Sequence, residues 1–197
     1  MAAEKTFKSA LVIIPPPSLW EPIQALRRRY DRKFRRWMPH VTLLYPFRPR
    51  EQLPNILPLL DALCSQLSPF VLCLRECRLF RHGPTSHTLW LSPEPAEPII
   101  TLYQRLLEIF PDCTEQGRYP TGFTPHLSIG QYYGPTAEAE RLRQELSHQW
   151  QPICFCVDAL TIIARDDPPD DVFSPVAVLP FGRPTQELQK CIGGSAG

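Results

Sequence analysis

A five-residue pattern occurs once in each half of the chain: Pro39-His40-Val41-Thr42-Leu43 and Pro125-His126-Leu127-Ser128-Ile129 share the order proline, histidine, apolar, hydroxyl, apolar. Successive side chains of a strand point to opposite faces. Each copy therefore predicts an imidazole and a hydroxyl side by side on one face, with the alternate apolar residues entering a core. A single H-x-[ST] says little, because a lone strand histidine is usually a hydrogen-bonded structural residue. Two copies with matched flanks, taking two of the chain's five histidines, carry far more information.

The elements around the pattern repeat with it. The run SALVIIP reads as a short buried strand cut by prolines, and LWEPIQALRRRYDRKF places Leu19, Ile23, Leu26, Tyr30 and Phe34 near helical spacing. MPHVTLLYP alternates as a strand. A helix follows from about Glu51 to Leu67 despite Pro54 and Pro58, and then the strand-like FVLCLRECRLF. The second half reads as the strand HTLWLSP, the helix EPIITLYQRLLEIF, the strand TPHLSIGQY, the helix AEAERLRQELSHQW, and the strands ICFCVDALTIIA and SPVAVLPFG. Strand–helix–strand–helix–strand occurs twice, which predicts an α+β or α/β fold of two similar lobes. With 197 residues, a single domain over residues 1–183 suffices, and the weakly apolar tail 184–197 is expected to be disordered.

Composition narrows the setting. At 43% hydrophobic and 21% charged residues the chain reads as an ordinary soluble protein. The apolar run Ala10 to Ile14 stops at Pro15-Pro16-Pro17, too short for a secretory signal, and nothing approaches a membrane span. The expected setting is intracellular, cytoplasmic or nuclear, with no membrane partner and a monomeric state. Net charge is only +1, yet charge is segregated: Arg27, Arg28, Arg29, Arg32, Lys33, Arg35 and Arg36 crowd one stretch, and Asp166, Asp167, Asp170 and Asp171 another, where a turn is expected. Seven cysteines in irregular spacing read as reduced thiols packed in a core. Cys73 and Cys77, and Cys154 and Cys156, share strand faces, so zinc binding with His82 or His87 is the alternative, without the C-x₂-C spacing that would strengthen it.

If the lobes pack about a pseudo-twofold axis, the two pattern strands can line one cleft with two imidazoles and two hydroxyls. In-line displacement at phosphorus needs a base at the attacking oxygen and an acid at the leaving one. Histidine suits both roles, because its ordinary pKa near 6.5 lets one ring be neutral and another protonated near neutral pH. Thr42 and Ser128 can donate hydrogen bonds to the non-bridging oxygens. The candidate catalytic set is His40, Thr42, His126 and Ser128, with no metal ligand and no cofactor assigned.

At HVTL and HLSI the chain resembles the two-histidine (2H) phosphoesterase superfamily, whose signature is a pair of H-h-[ST]-h motifs, h being apolar. The longer strings PHVTLLYPF and TPHLSIGQY resemble its 2′-5′ RNA ligase-like branch, and the likeness in element order spans roughly residues 8–182. The resemblance implies a bilobal fold with two mainly antiparallel sheets facing a central cleft and helices outside. It implies a metal-independent phosphodiesterase acting on 2′,3′-cyclic phosphates, 2′-5′ linkages or RNA ends, with RNA or a nucleotide as partner. It also implies His126 as the base and His40 as the acid, exchanged in a ligation direction.

One position departs from that pattern. Several ligase-like relatives carry arginine or tyrosine five residues after the second histidine, where this chain has Gln131, so a phosphate-binding cation must come from elsewhere. Strict alternation turns Gln131 away from the cleft, whereas a bulge at Gly130 would turn it inward. Gln131 or Tyr132 is then a candidate base-stacking or hydrogen-bonding contact, and core or edge packing explains them equally. The stretch RRRYDRKFRRW, with Tyr30, Phe34 and Trp37 interleaved, can hold an RNA backbone, Trp37 being a candidate substrate contact. A solvated helix end with cations near its C-terminus accounts for the same residues. No phosphate-loop, G-x-S-x-G or H-E-x-x-H signature occurs, which disfavours ATP-dependent ligation, serine esterase and zinc protease chemistry. The alternative to an enzyme is an RNA-end-binding protein that keeps the cleft without turnover.

Overall fold

The doubled strand–helix–strand–helix–strand order is present in the structure, a computed structural model that describes residues 4–119 and 121–182. The chain runs β1 (Ser9–Ile13), α1 (Trp20–Tyr30), β2 (Val41–Leu44), α2 (Leu53–Cys64), β3 (Phe70–Arg81), β4 (Ser86–Glu94), α3 (Glu97–Ile109), β5 (Leu127–Tyr133), α4 (Thr136–Gln149), β6 (Ile153–Val157), β7 (Ala159–Ala164) and β8 (Ser174–Pro180). The expected disordered tail falls outside the described residues. No helix among the described residues is long and apolar enough to cross a membrane.

Local chemistry explains the boundaries. β1 lies between β2 and β7 and is buried along its whole length because Leu11 and Ile13 pack into the core on one face and Ala10 and Val12 into a cluster on the other, so it reads as a continuous apolar run. α1 ends at Tyr30, one turn before the expected Phe34. Asp31 takes an extended backbone conformation, and its carboxylate reaches back to Arg27 and forward to the Lys33 amide. Those local bonds compete with helix continuation. Pro54 lies in the first turn of α2, where its missing N–H has no intrahelical partner to lose.

The expectation of two facing sheets is corrected. Among the described residues all eight strands form one antiparallel sheet in the order β6-β3-β4-β5-β2-β1-β7-β8. The sheet falls into two four-stranded halves, and β2 and β5 join across the middle through a single bridge pair, Val41 with Leu127. The halves are not the two halves of the sequence. β3 forms a hairpin with its neighbour β4 and so joins the β5 half, while β7 and β8 complete the half containing β2. Hairpin pairing puts β3 with β4 and β8 with β7, while non-local pairing puts β6 beside β3 and β7 beside β1.

The main core lies on one face, where Leu11, Val41, Leu43, Leu127 and Ile129 meet helix residues such as Ile23, Leu60 and Leu106. α1 packs on β5, so close that a Cβ added to Gly130 would stand 2.3 Å from the Tyr30 Cβ. On the opposite face a small cluster of Ala10, Val12, Ile163 and Phe173 packs beside Trp37 and Tyr45. The pattern's polar residues share that second face.

The cysteine expectation is corrected in part. Cys73 and Cys154 form a disulfide, because the β3–β6 register sets them directly opposite with Cα atoms 4.0 Å apart. They are 81 residues apart in sequence, so no spacing rule could reveal the pair. Cys64, Cys77 and Cys113 are buried thiols, as core packing requires. The zinc alternative has no donor set: His82 bonds Thr88, His87 bonds Thr136, and among the described residues no three His, Cys, Asp or Glu side chains converge.

Candidate active site

Both pattern copies alternate as expected, with His40, Thr42, His126 and Ser128 part-exposed and Val41, Leu43, Leu127 and Ile129 buried. Because Val41 pairs with Leu127, the next positions in antiparallel register set His40 beside Ser128 and His126 beside Thr42. Each imidazole therefore neighbours the hydroxyl of the other copy. His40, Thr42 and Ser128 line a cavity of about 420 Å³, and His126 and Ser128 line an adjoining one of about 310 Å³. Ser128, Thr88 and Gln116 belong to both walls, so the four expected catalytic residues meet around one junction.

The histidines are held identically. His40 Nδ1 lies 2.7 Å from the Met38 carbonyl oxygen, and His126 Nδ1 lies 2.8 Å from that of Thr124. A carbonyl only accepts, so each Nδ1 carries the proton and donates it. Each neutral ring then keeps its lone pair on Nε2, the nitrogen available to the cavity. Aromatic rings restrict both: Trp37 stacks on His40 at 4.9 Å, and Phe80 meets His126 edge to face at 5.0 Å.

Burial is the largest influence on both imidazoles and disfavours the charged form. It pushes His40 down to about 4, opposed by the Met38 carbonyl and by Asp31, and assisted by the charges of Arg27 and His126. His126 is likewise lowered by burial, with the Thr124 carbonyl opposing and His82 assisting. Both rings are thus neutral near pH 7 until an anion enters. A bound phosphate supplies the opposite charge that favours protonation of one of them.

The remaining expected contacts divide. A bulge at Ile129 is visible in the β4–β5 register, where Leu89 faces Gly130 but Trp90 faces Ser128. The bulge brings Gln131 to the His40 cavity, as Gly130 suggested. Tyr132 consequently faces away, donating to Glu138 on α4 at 2.7 Å, and lines neither cavity; its expected place as a cleft contact is corrected. Tyr133 lines the cavity instead. Trp37 also lines it, with His40 and Phe173 as stacking partners. The sequence reading missed Thr88, Gln116 and Tyr133. Period-two spacing from Gln131 would have found Tyr133, while Thr88 and Gln116 reach the site only through tertiary packing. Thr88 adds a third hydroxyl, and its Oγ1 lies 2.9 Å from His82 Nε2.

Three cations of the basic stretch are ion-paired. Arg27 is buried against Asp31, Arg28 pairs with Glu21, and Arg36 pairs with Asp171. The acidic stretch forms the expected turn, closed by an Asp170 N–H bond to the Asp167 carbonyl.

A family model described as the 2′-5′ RNA ligase superfamily matches residues 15–169. A Bacillus cereus protein named "Putative phosphoesterase" is 31% identical over 150 residues, covering 74% of this chain and 84% of the relative. A Bacillus anthracis protein of the same name is 30% identical over the same shares. Among solved structures, TT0787 of Thermus thermophilus has a TM-score of 0.62 at 19% identity, over 89% of this chain and 99% of that one. Escherichia coli LigT complexed with 3′-AMP has a TM-score of 0.60 at 16% identity, over 91% and 100%.

Proposed function

The chain belongs to the 2′-5′ RNA ligase superfamily, and from that premise we propose that it is a phosphodiesterase opening 2′,3′-cyclic phosphates or cutting 2′-5′-linked ribonucleotides at RNA ends. The observation that carries this reading is the matched pair of imidazoles. Each is fixed through Nδ1 to the carbonyl two residues before it, and both border the junction lined by Ser128.

In the reaction so proposed, His126 Nε2 takes a proton from water, whose oxygen bonds to phosphorus. His40, protonated on Nε2 once the phosphate's charge is present, gives that proton to the departing ribose oxygen as the P–O bond breaks. The product is a phosphomonoester and a free hydroxyl. Thr42, Ser128 and Thr88 donate to the non-bridging oxygens, whose charge rises in the transition state. Side chains make both proton transfers, one from the attacking water to His126 and one from His40 to the leaving oxygen, so the scheme as written calls on no metal or cofactor. LigT was solved complexed with 3′-AMP, which supports a nucleotide as the class of ligand.

The test offers the protein 2′,3′-cyclic nucleotides, 2′-5′ oligoadenylates and RNA with cyclic-phosphate ends in excess chelator, and identifies the products. Turnover is expected, lost by about 10²–10⁴-fold in His126→Asn or His40→Asn. Tight binding with no product from any substrate would replace this reading with that of an RNA-end-binding protein. Activity strictly dependent on added divalent metal would sink the two-imidazole scheme.

A further inference from the structure

The cationic stretch spanning the end of α1 and the loop after it borders the His40 cavity, and only part of it is free to meet a ligand. Arg27, Arg28 and Arg36 are tied to Asp31, Glu21 and Asp171. Arg32 and Lys33 line the cavity, are exposed, and have no carboxylate within ion-pair distance among the described residues. The Arg32 guanidinium lies over the Tyr133 ring, 4.2 Å from its centroid. Two free cations and an aromatic face therefore stand on the wall of a cavity that also contains His40, Thr42 and Ser128.

The loop is held in place from beneath. The Arg32 N–H donates to Gln131 Oε1 at 3.1 Å, Gln131 Nε2 donates to Asp31 Oδ1 at 3.3 Å, and the Lys33 N–H donates to the same oxygen at 2.9 Å. Asp31 is in turn fixed by Arg27, in a pair whose side chains are only 6% and 2% exposed. A buried ion pair and one glutamine thus preorganise the backbone that presents both cations, which lowers the ordering cost of binding an anion there.

We propose that Arg32, Lys33 and Tyr133 form a second phosphate subsite beside the reacting centre, so that the favoured substrate is an oligonucleotide end with at least two consecutive phosphates rather than a lone cyclic mononucleotide. The proposal rests on the phosphodiesterase reading for the location of the first phosphate. With that phosphate at the Ser128 junction, a mononucleotide places its nucleoside in one cavity and leaves the other empty. A longer strand fills both: the next phosphate meets Arg32 and Lys33, and a base or ribose lies against Tyr133. Gln131 is a positioning residue, acting through the Arg32 backbone.

The test compares three probes by equilibrium binding: a 3′-phosphorylated dinucleotide, the same dinucleotide with a neutral methylphosphonate link, and a 3′-phosphorylated mononucleotide. The native protein is expected to bind the first at least tenfold more tightly than the other two at low salt. Its log affinity against log salt should be steeper by about 0.7, the change for one added phosphate contact on a single strand. The Arg32→Ala/Lys33→Ala variant should bring the ratio close to one, and Gln131→Leu, which keeps both charges, should lower it partway. Equal affinity of the native protein for charged and neutral links overturns the subsite whether or not either variant folds. So does a double variant that keeps the native ratio. Because binding is read without turnover, a retained ratio with no hydrolysis upholds the subsite and defeats the hydrolase reading. Equal kcat/KM on cyclic mononucleotide and cyclic-ended dinucleotide does the reverse.

Discussion

Val41 and Leu127 face each other as the bridge pair between the two halves of the sheet, and each is the residue immediately after a pattern histidine. Both side chains are fully buried. The consequence is a crossed arrangement, in which each imidazole stands next to the hydroxyl of the opposite copy. A one-residue slip of either strand would send its histidine and hydroxyl into the core and its apolar residues into the cleft. The buried pair therefore holds the register on which the proposed chemistry depends.

Acid should weaken this fold through His40. Its folded value of about 4 lies below the ordinary 6.5 of an exposed histidine, so between those values the unfolded chain binds the extra proton. Stability present above pH 6.5 is accordingly lost as pH falls towards 4, and His126, lowered in the same direction, adds to the loss. Denaturant midpoints measured from pH 7 to pH 4 should decline less steeply in His40→Asn than in the native protein. Parallel slopes would show that the buried imidazole is not responsible.

The same lowered values predict proton uptake when an anion binds. Near pH 6.5 inorganic phosphate should draw a proton onto His40 or His126, because its charge offsets the burial that keeps them neutral. Calorimetric titration in buffers of different ionisation enthalpy reads this uptake directly. It should disappear in the His40→Asn/His126→Asn protein, and phosphate binding with no proton exchange in the native protein would contradict it.

Gly130 is expected to tolerate no side chain. An added Cβ would stand 2.3 Å from the Tyr30 Cβ and 2.7 Å from the Tyr30 carbonyl carbon and oxygen. Separating α1 from β5 should cost about 1–3 kcal/mol, the range for overpacking a tight contact. Gly130→Ala should therefore lower the denaturation midpoint and, since Asp31 and Arg32 follow Tyr30 directly, weaken nucleotide binding. Native stability in this variant would show that the helix can shift without cost.

Reducing agent should destabilise the fold at the sheet edge. The disulfide joins edge strand β6 to β3, and loss of a long-range bridge of this kind typically costs about 2–5 kcal/mol. The Cys73→Ser/Cys154→Ser protein should match the reduced native protein in denaturation midpoint. An unchanged midpoint on reduction would mean that β6 is held by its ladder alone.

Much of this was legible in the chain because it is local. Period-two alternation assigned His40, Thr42, His126 and Ser128 to accessible faces, and Gly130 signalled the bulge that reorients Gln131. Period-three-to-four spacing located the helices, although α1 stopped early once Asp31 had found Arg27. Tyr132 was misplaced because a bulge reverses facing for every residue beyond it.

What alternation and spacing determined by themselves is which residues share a face of one element, since backbone geometry repeats with a fixed period. Which elements become neighbours was decided only by the tertiary structure. Strand pairing is non-local: it joined eight strands in one sheet, set Cys73 opposite Cys154 and carried Thr88 to the histidines. Packing of helix and loops on that sheet brought Gln116 to the same site, buried Arg27 and, among the described residues, left Arg32 and Lys33 without carboxylate partners. Hydrogen-bond register and the fit of α1 against Gly130 select those neighbours, and both arise between segments that are distant in sequence.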